Sequence, residues 1–261
     1  MLLLYLGLGA LAGLLSGLFG IGGGLVIVPV LVFTFHLLHF PAALSVHMAM
    51  GTSLATIIVT AANSTYGHYR QDGIDWRIVR QMSTGIVLGA LLGSVLAHGL
   101  NGQLLENLFG IYLVLIALKM LLSHNCVSSR SMPKFWVTSL VGGFIGFKSA
   151  LFGVGGGSVS VPFLNYCGQP MKKAAGISAA CGLPIALTGT LTYAVMGCQQ
   201  SAQLPEWSLG YIYLPAWLGI VVTSAWCARI GARLAHRWPQ LLLKRLFAVM
   251  LLLIAAKIFL F

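Results

Sequence analysis

A glycine-rich turn occurs twice in this chain, and that duplication limits its fold more than any other feature. Residues Phe19 to Leu31 read FGIGGGLVIVPVL; 133 positions later, Phe152 to Leu164 read FGVGGGSVSVPFL, with nine of the thirteen positions identical. Each extra glycine in a helix costs roughly 1 kcal/mol relative to alanine, so a triplet interrupts one. Both triplets nevertheless sit in long apolar stretches whose only charge is Lys148. Unwound backbone in such a stretch is tolerated only where protein or a water-filled cavity receives its polar groups. Broken helices at matching positions of two halves are a sequence pointer to a membrane transport site.

Composition agrees with a membrane setting. Charged residues make up 7% of the chain, against about 25% in a soluble domain, and the mean hydropathy is +0.93. The expected class is an all-α polytopic membrane protein. A formal charge of +11 would suggest nucleic acid in a soluble domain, but here the basic residues lie in short loops between apolar runs. That pattern fits an anionic membrane face, so the bilayer is an expected partner and nucleic acid is not. The N-terminal MLLLYLGLGALAG has no Lys or Arg ahead of its apolar run and is read as part of the mature fold. The five cysteines show neither CxxC nor Cys/His spacing, so no metal or other cofactor is expected; Cys181 and Cys227 read as packing residues.

Eight apolar segments follow from hydropathy: 2–38 (broken), 44–67, 78–98, 105–123, 135–167 (broken), 173–197, 209–229 and 243–261. They divide into a first repeat, 1–123, a linker, 124–134, and a second repeat, 135–261. Trp76 aligns with Trp207, Gly51 with Gly182, and Phe109 through Lys119 with Phe247 through Lys257. Small residues at spacing four, such as Gly9, Gly13 and Gly17 or Gly85, Gly89 and Gly93, suit close helix contact in a bilayer. If all eight segments cross, the basic residues Arg70, Arg77, Arg80, Arg130, Lys134, Lys172, Lys173, Arg229, Arg233, Arg237, Lys244 and Arg245 split five to seven between the two faces. If the broken segments re-enter on the side they left, all of these charges fall on one face, as the positive-inside rule requires. Two inverted repeats are therefore expected, each a re-entrant first segment and three crossings, with a cytoplasmic linker and both termini outside. A kinked first helix that crosses is the alternative.

Inverted halves would bring the two turns together near the midplane. The arms that leave them begin helices at Gly24 and Gly157, whose free amides and positive dipole ends make a ready anion site. The expected substrate-binding residues are Gly22, Gly23 and Gly24 of the first turn and Gly155, Gly156, Gly157 and Ser158 of the second. Lys148, whose counterpart is Leu15, marks a pathway or counter-ion, or else snorkels to the inner face. His47, aligned with Ser178, donates to an anion or carries a proton, or else is bonded within a helix interface; Lys148, His47, Ser178 and the Thr52 and Ser53 that follow His47 complete the expected substrate-binding set. The four acids, Asp72, Asp75, Glu106 and Glu206, lie in loops or at segment ends, which argues against the carboxylate relay of a cation transporter. No HExxH, GxSxG, Walker or paired-carboxylate motif is present, so an enzyme is not expected.

At the duplicated G-[IV]-G-G-G-x-V-x-V-P-x-L turn, at Ala49 through Leu54 (AMGTSL) and at Gly210 through Arg233, the chain resembles the sulfite exporter TauE/SafE family, also grouped as toluene-sulfonate uptake permeases. The resemblance covers nearly the whole chain. It implies a multi-pass transporter of the bacterial inner membrane that moves sulfite, sulfonates or related sulfur-containing anions. Lys148 and the run Ala180-Cys181-Gly182-Leu183-Pro184 depart from the family pattern. The expected function is a secondary carrier or facilitator, exporting a sulfur oxyanion or a sulfonate such as sulfoacetate as one half rocks on the other. A homodimer is the expected assembly. The rivals are a membrane accessory protein handling a metal or cofactor, around His47, Met48 and Met50, and an anion channel.

Overall fold

Two 28-residue helices form the centre of the molecule, and each starts in the same way. In the computed structural model, which describes residues 5–7, 9–11, 13–14, 24–122, 132–200, 204–235 and 240–260, α2 (Ala42–Tyr69) follows Pro41. Its counterpart α7 (Met171–Cys198) follows Pro170. Two residues ahead of each proline the backbone turns left-handed, at His39 (φ 57°) and Gly168 (φ 77°). Proline fixes φ and lacks an N–H, which suits the open start of a helix. Around them lie α1 (Gly24–Leu37), α3 (Trp76–Gly99), α4 (Gly102–Leu122), α5 (Phe135–Leu151), α6 (Gly157–Tyr166), α8 (Leu214–Ala235) and α9 (Gln240–Leu260), and the described residues between 5 and 14 are helical too. Side chains cap two of them: Asp75 Oδ1 accepts from the amides of Arg77 and Ile78 at the head of α3, and Asn101 Oδ1 accepts from Leu104 at the head of α4.

Among the described residues the fold is all-α apart from one hairpin of two-residue strands, β1 (Ser208–Leu209) and β2 (Ile212–Tyr213), paired antiparallel. Among the described residues, α2, α3, α4 and α7 are long and apolar enough to cross a membrane. The second broken segment parts where expected, between Leu151 and Gly157. The segment expected at 209–229 differs. Gly210 turns left-handed (φ 56°), the hairpin occupies 208–213, and the helix begins only at Leu214. Residues 15–23, with Gly22 and Gly23, lie outside the described residues, as does the expected linker up to residue 131.

The two halves exchange partners. α5 of the second half lies along α3 of the first, and glycine lets their backbones touch. A Cβ at Gly85, Gly89 or Gly93 would strike the carbonyls of Ser139, Gly143 or Phe147; reciprocally, one at Gly142 or Gly146 would strike those of Met82 or Ile86. Thr84 and Ser139 hydroxyls add a hydrogen bond at 2.9 Å. The same exchange recurs at the other end of the chain. Gly9 sits on Ile220 and Thr223 of α8, Gly13 on Ser224, and Gly219 on Tyr5. In lipid, where apolar burial gives helices little reason to associate, such close van der Waals approach supplies much of the attraction.

A single methyl group tests this contact. Gly89→Ala places a Cβ on the Gly143 backbone and is expected to destabilise by about 1–3 kcal/mol. Gly67→Ala in α2 meets open space and is expected to stabilise by up to about 1 kcal/mol. Thermal unfolding of the two variants in one detergent gives the comparison.

Candidate functional site

The second glycine turn is unwound backbone that neighbouring elements hold by its carbonyls. Residues 152–156 connect α5 to α6, with Gly153 at φ +65°, a conformation that side chains resist. The Gly153 α-carbon also lies against the backbone of Met50 in α2, where a Cβ would clash at 2.7 Å. Ser53 Oγ donates to the Gly153 carbonyl at 2.7 Å. Tyr193 Oη of α7 donates to the Ala150 carbonyl at 3.2 Å, and the Val154 amide returns to Ser149. Ser160 Oγ donates to the Gly156 carbonyl at 2.9 Å. Its hydrogen thus committed, it accepts from Ser178 Oγ at 2.6 Å. Ile145 and Ile185 pack over Gly156.

The two turns meet. A Cβ at Gly24, the first residue of α1, would stand 2.8 Å from Val154 Cα and 3.0 Å from the Gly155 amide nitrogen. The expected juxtaposition of the motifs is therefore present at Gly24, but as backbone against backbone. At Gly24 that contact leaves no room for a methyl group.

Lys148 lies in the last turn of α5 and is 6% exposed. Its Nζ donates to Tyr112 Oη and to Ser158 Oγ, each at 3.0 Å, and the two hydroxyls are 3.2 Å apart. The Tyr112 ring, 5.2 Å from Nζ at its centroid, is stacked on Phe152 at 4.6 Å. None of the four acids is a partner of this ammonium. A buried cation normally has an anion beside it, because desolvation costs several kcal/mol. Here the C-terminal dipole of α5 favours the charge, whereas the N-terminal amides of α6, at Gly157 and Ser158, add further positive potential. The cluster thus offers hydroxyl and ammonium donors, next to free amides, in a site with surplus positive charge.

His47 and Thr52 serve a different neighbourhood. Thr52 Oγ1 accepts the amide of Tyr213 at 3.0 Å, so it anchors the hairpin. His47 Nε2 donates to the Ala97 carbonyl at 3.0 Å, and its ring stacks on Tyr211 at 5.3 Å. Tyr211, 1% exposed, donates to Gln200 Oε1 at 2.9 Å and so accepts from His98 Nδ1 at 3.1 Å. Burial pushes the Tyr211 phenol above its usual range, which keeps that proton in place.

Of the residues expected to form the site, Ser53, Lys148, Gly155, Gly156, Gly157, Ser158 and Ser178 gather around the second turn with Gly24. His47 and Thr52 do not. Tyr112, Ser160 and Tyr193 were not anticipated. Tyr112 carried a signal in the repeat itself: in the aligned stretches its counterpart is Met250, as that of Lys148 is Leu15 and that of Ser158 is Leu25. Three places where one half is polar and the other apolar converge on one cluster.

Residues 5–258 match the sulfite exporter TauE/SafE family. A probable membrane transporter protein of Haemophilus influenzae is 40% identical, the alignment covering 99% of this chain and 98% of that one. A probable membrane transporter protein of Methanocaldococcus jannaschii is 29% identical over 88% of this chain and 84% of its own. A probable inner membrane transporter protein of Comamonas testosteroni, TsaS, is 24% identical over 77% and 80%. No solved structure matches.

Ser53→Ala leaves the Gly153 carbonyl without its donor and is expected to cost about 1–2 kcal/mol. Hydrogen exchange is expected to show faster opening of residues 150–158 than in the unsubstituted protein, with α3 unchanged.

Proposed function

The chain belongs to the sulfite exporter TauE/SafE family, and from that membership we propose that it is a secondary carrier exporting small sulfur-containing anions, sulfite or sulfonates such as sulfoacetate, across the bacterial inner membrane. One observation carries the anion reading: the buried Lys148 ammonium is bonded to two hydroxyls and to no carboxylate. An arriving oxyanion would neutralise it, accept from Tyr112, Ser158 and the first amides of α6, and offset the desolvation that the lone charge bears. Sulfite and sulfonate groups present three acceptor oxygens to such a set of donors. Access requires the second turn to move from Gly24, and the Ser53 and Ser178 bonds are the contacts that would open and re-form.

An inside-negative potential expels an anion at about 2.3 kcal/mol per charge per 100 mV, so export needs no proton or sodium relay. The matching left-handed turns before α2 and α7, and the exchanged α3–α5 and N-terminal–α8 contacts, support a duplicated architecture of residues 1–123 and 135–261. Placing the basic loops on the cytoplasmic face makes the two repeats inverted.

Proteoliposomes loaded with labelled sulfite or sulfoacetate test the reading. Lys148→Met keeps the side chain's bulk and removes its charge. Flux is expected to fall at least tenfold, while the unfolding temperature stays level or rises, because an apolar replacement relieves a buried unpaired charge. Flux equal to that of empty liposomes with the unsubstituted protein, or full flux in Lys148→Met, would overturn it.

A further inference from the structure

Charge can be counted around Lys148, and the count separates one class of sulfur anion from another. The ammonium contributes one full positive charge. The end of α5 beside it carries about half a negative charge and the start of α6 about half a positive one, so the two helix ends nearly cancel. Among the described residues no second cation adds to the sum. Glu106 and Lys119 lie roughly 10 Å along α4 to either side of Tyr112, and α6 has no charged residue. Arg77 and Arg80 at the head of α3, and Lys172 and Lys173 at the head of α7, are exposed. His47 meets the Ala97 carbonyl and His98 meets Tyr211, while His68 is in the last turn of α2.

The unspent hydrogens can be counted too. An ammonium has three, and Lys148 gives two of them to Tyr112 Oη and Ser158 Oγ. Those hydroxyls share one hydrogen between them, which leaves one O–H as well as one N–H. The first hydrogen bonds of α6 come from Val159 and Ser160, both to Gly156, and Gly156 adds no side-chain cap. The amides of Gly157 and Ser158 are therefore unspent among the described residues. Donors thus surround one net positive charge and no carboxylate. A sulfonate head matches both, with three acceptor oxygens and a single charge whatever its tail bears. Sulfate and sulfite offer acceptors as well, but each brings a second charge to the same spot, uncompensated in a low-dielectric surround. Within the transport reading above, on which this step rests, we propose that the Lys148 site selects singly charged heads, sulfonates and hydrogensulfite, over divalent sulfite and sulfate.

Methanesulfonate and sulfate isolate the charge, since a methyl group in place of one oxygen removes a charge and barely alters the shape. The full chain in proteoliposomes carries labelled sulfite, with the flux of protein-free liposomes subtracted, and each anion is added as competitor. Methanesulfonate is expected to halve the flux at a concentration at least tenfold lower than sulfate. At constant total sulfite, flux is expected to rise as pH is lowered through neutrality and sulfite becomes hydrogensulfite, whereas flux of labelled methanesulfonate stays level. Titration of the protein is common to both substrates and cancels in that comparison. Sulfate competing as well as methanesulfonate, or the two fluxes following pH in parallel, would overturn the charge selection and leave the transport reading standing. Absence of flux for both labelled anions would remove the two together.

Discussion

The structure depends on how an apolar protein satisfies five residues of unwound backbone. In the connector 152–156, the Gly153 carbonyl is met by Ser53 from α2 and that of Gly156 by Ser160, itself tied to Ser178, while Tyr193 from α7 meets the Ala150 carbonyl just before it. These donors come from both halves of the chain, so the turn joins the central helices α2 and α7. Each of those bonds is worth about 1 kcal/mol net, but losing one strands an acceptor in a low-dielectric interior, where the deficit is larger. The left-handed Gly153 is tolerable because the contacts around it allow no other path.

Much of this was legible in the sequence because the same physics was written twice. The duplicated turn, the place where the second helix breaks, the small-residue stripes and the cluster of Ser53, Ser178 and the glycines all follow from periodicity and alignment of the halves. The α3–α5 contact is the use expected for glycines at spacing four, although only the structure shows that the partner comes from the opposite half. What the sequence obscured were interactions between elements far apart in the chain. Tyr112 reads as one aromatic in an apolar helix until Lys148 is brought beside it.

For His47 and Thr52, the partners lay beyond a hydropathy reading. Polar residues in an apolar helix attract functional readings, yet these two hold Tyr211 and Tyr213 of a hairpin too short to register in any hydropathy window. Its alignment partner in the first half, around Trp76, is simply the start of a helix. The hairpin at 208–213 is where the second half departs from the first, and two of the conspicuous polar side chains of α2 are occupied beside it.

The exchanged packing of the halves bears on mechanics. With the α3 and α5 backbones in contact along three glycine steps, those helices are one plank, though α4 lies between them in the chain; Tyr5, Gly9 and Gly13 with α8 make the corresponding second plank. Drawing residues 1–123 away from 135–261 as blocks would shear both. The displacement this packing opposes least runs along the seams between planks, each of which draws on both ends of the chain.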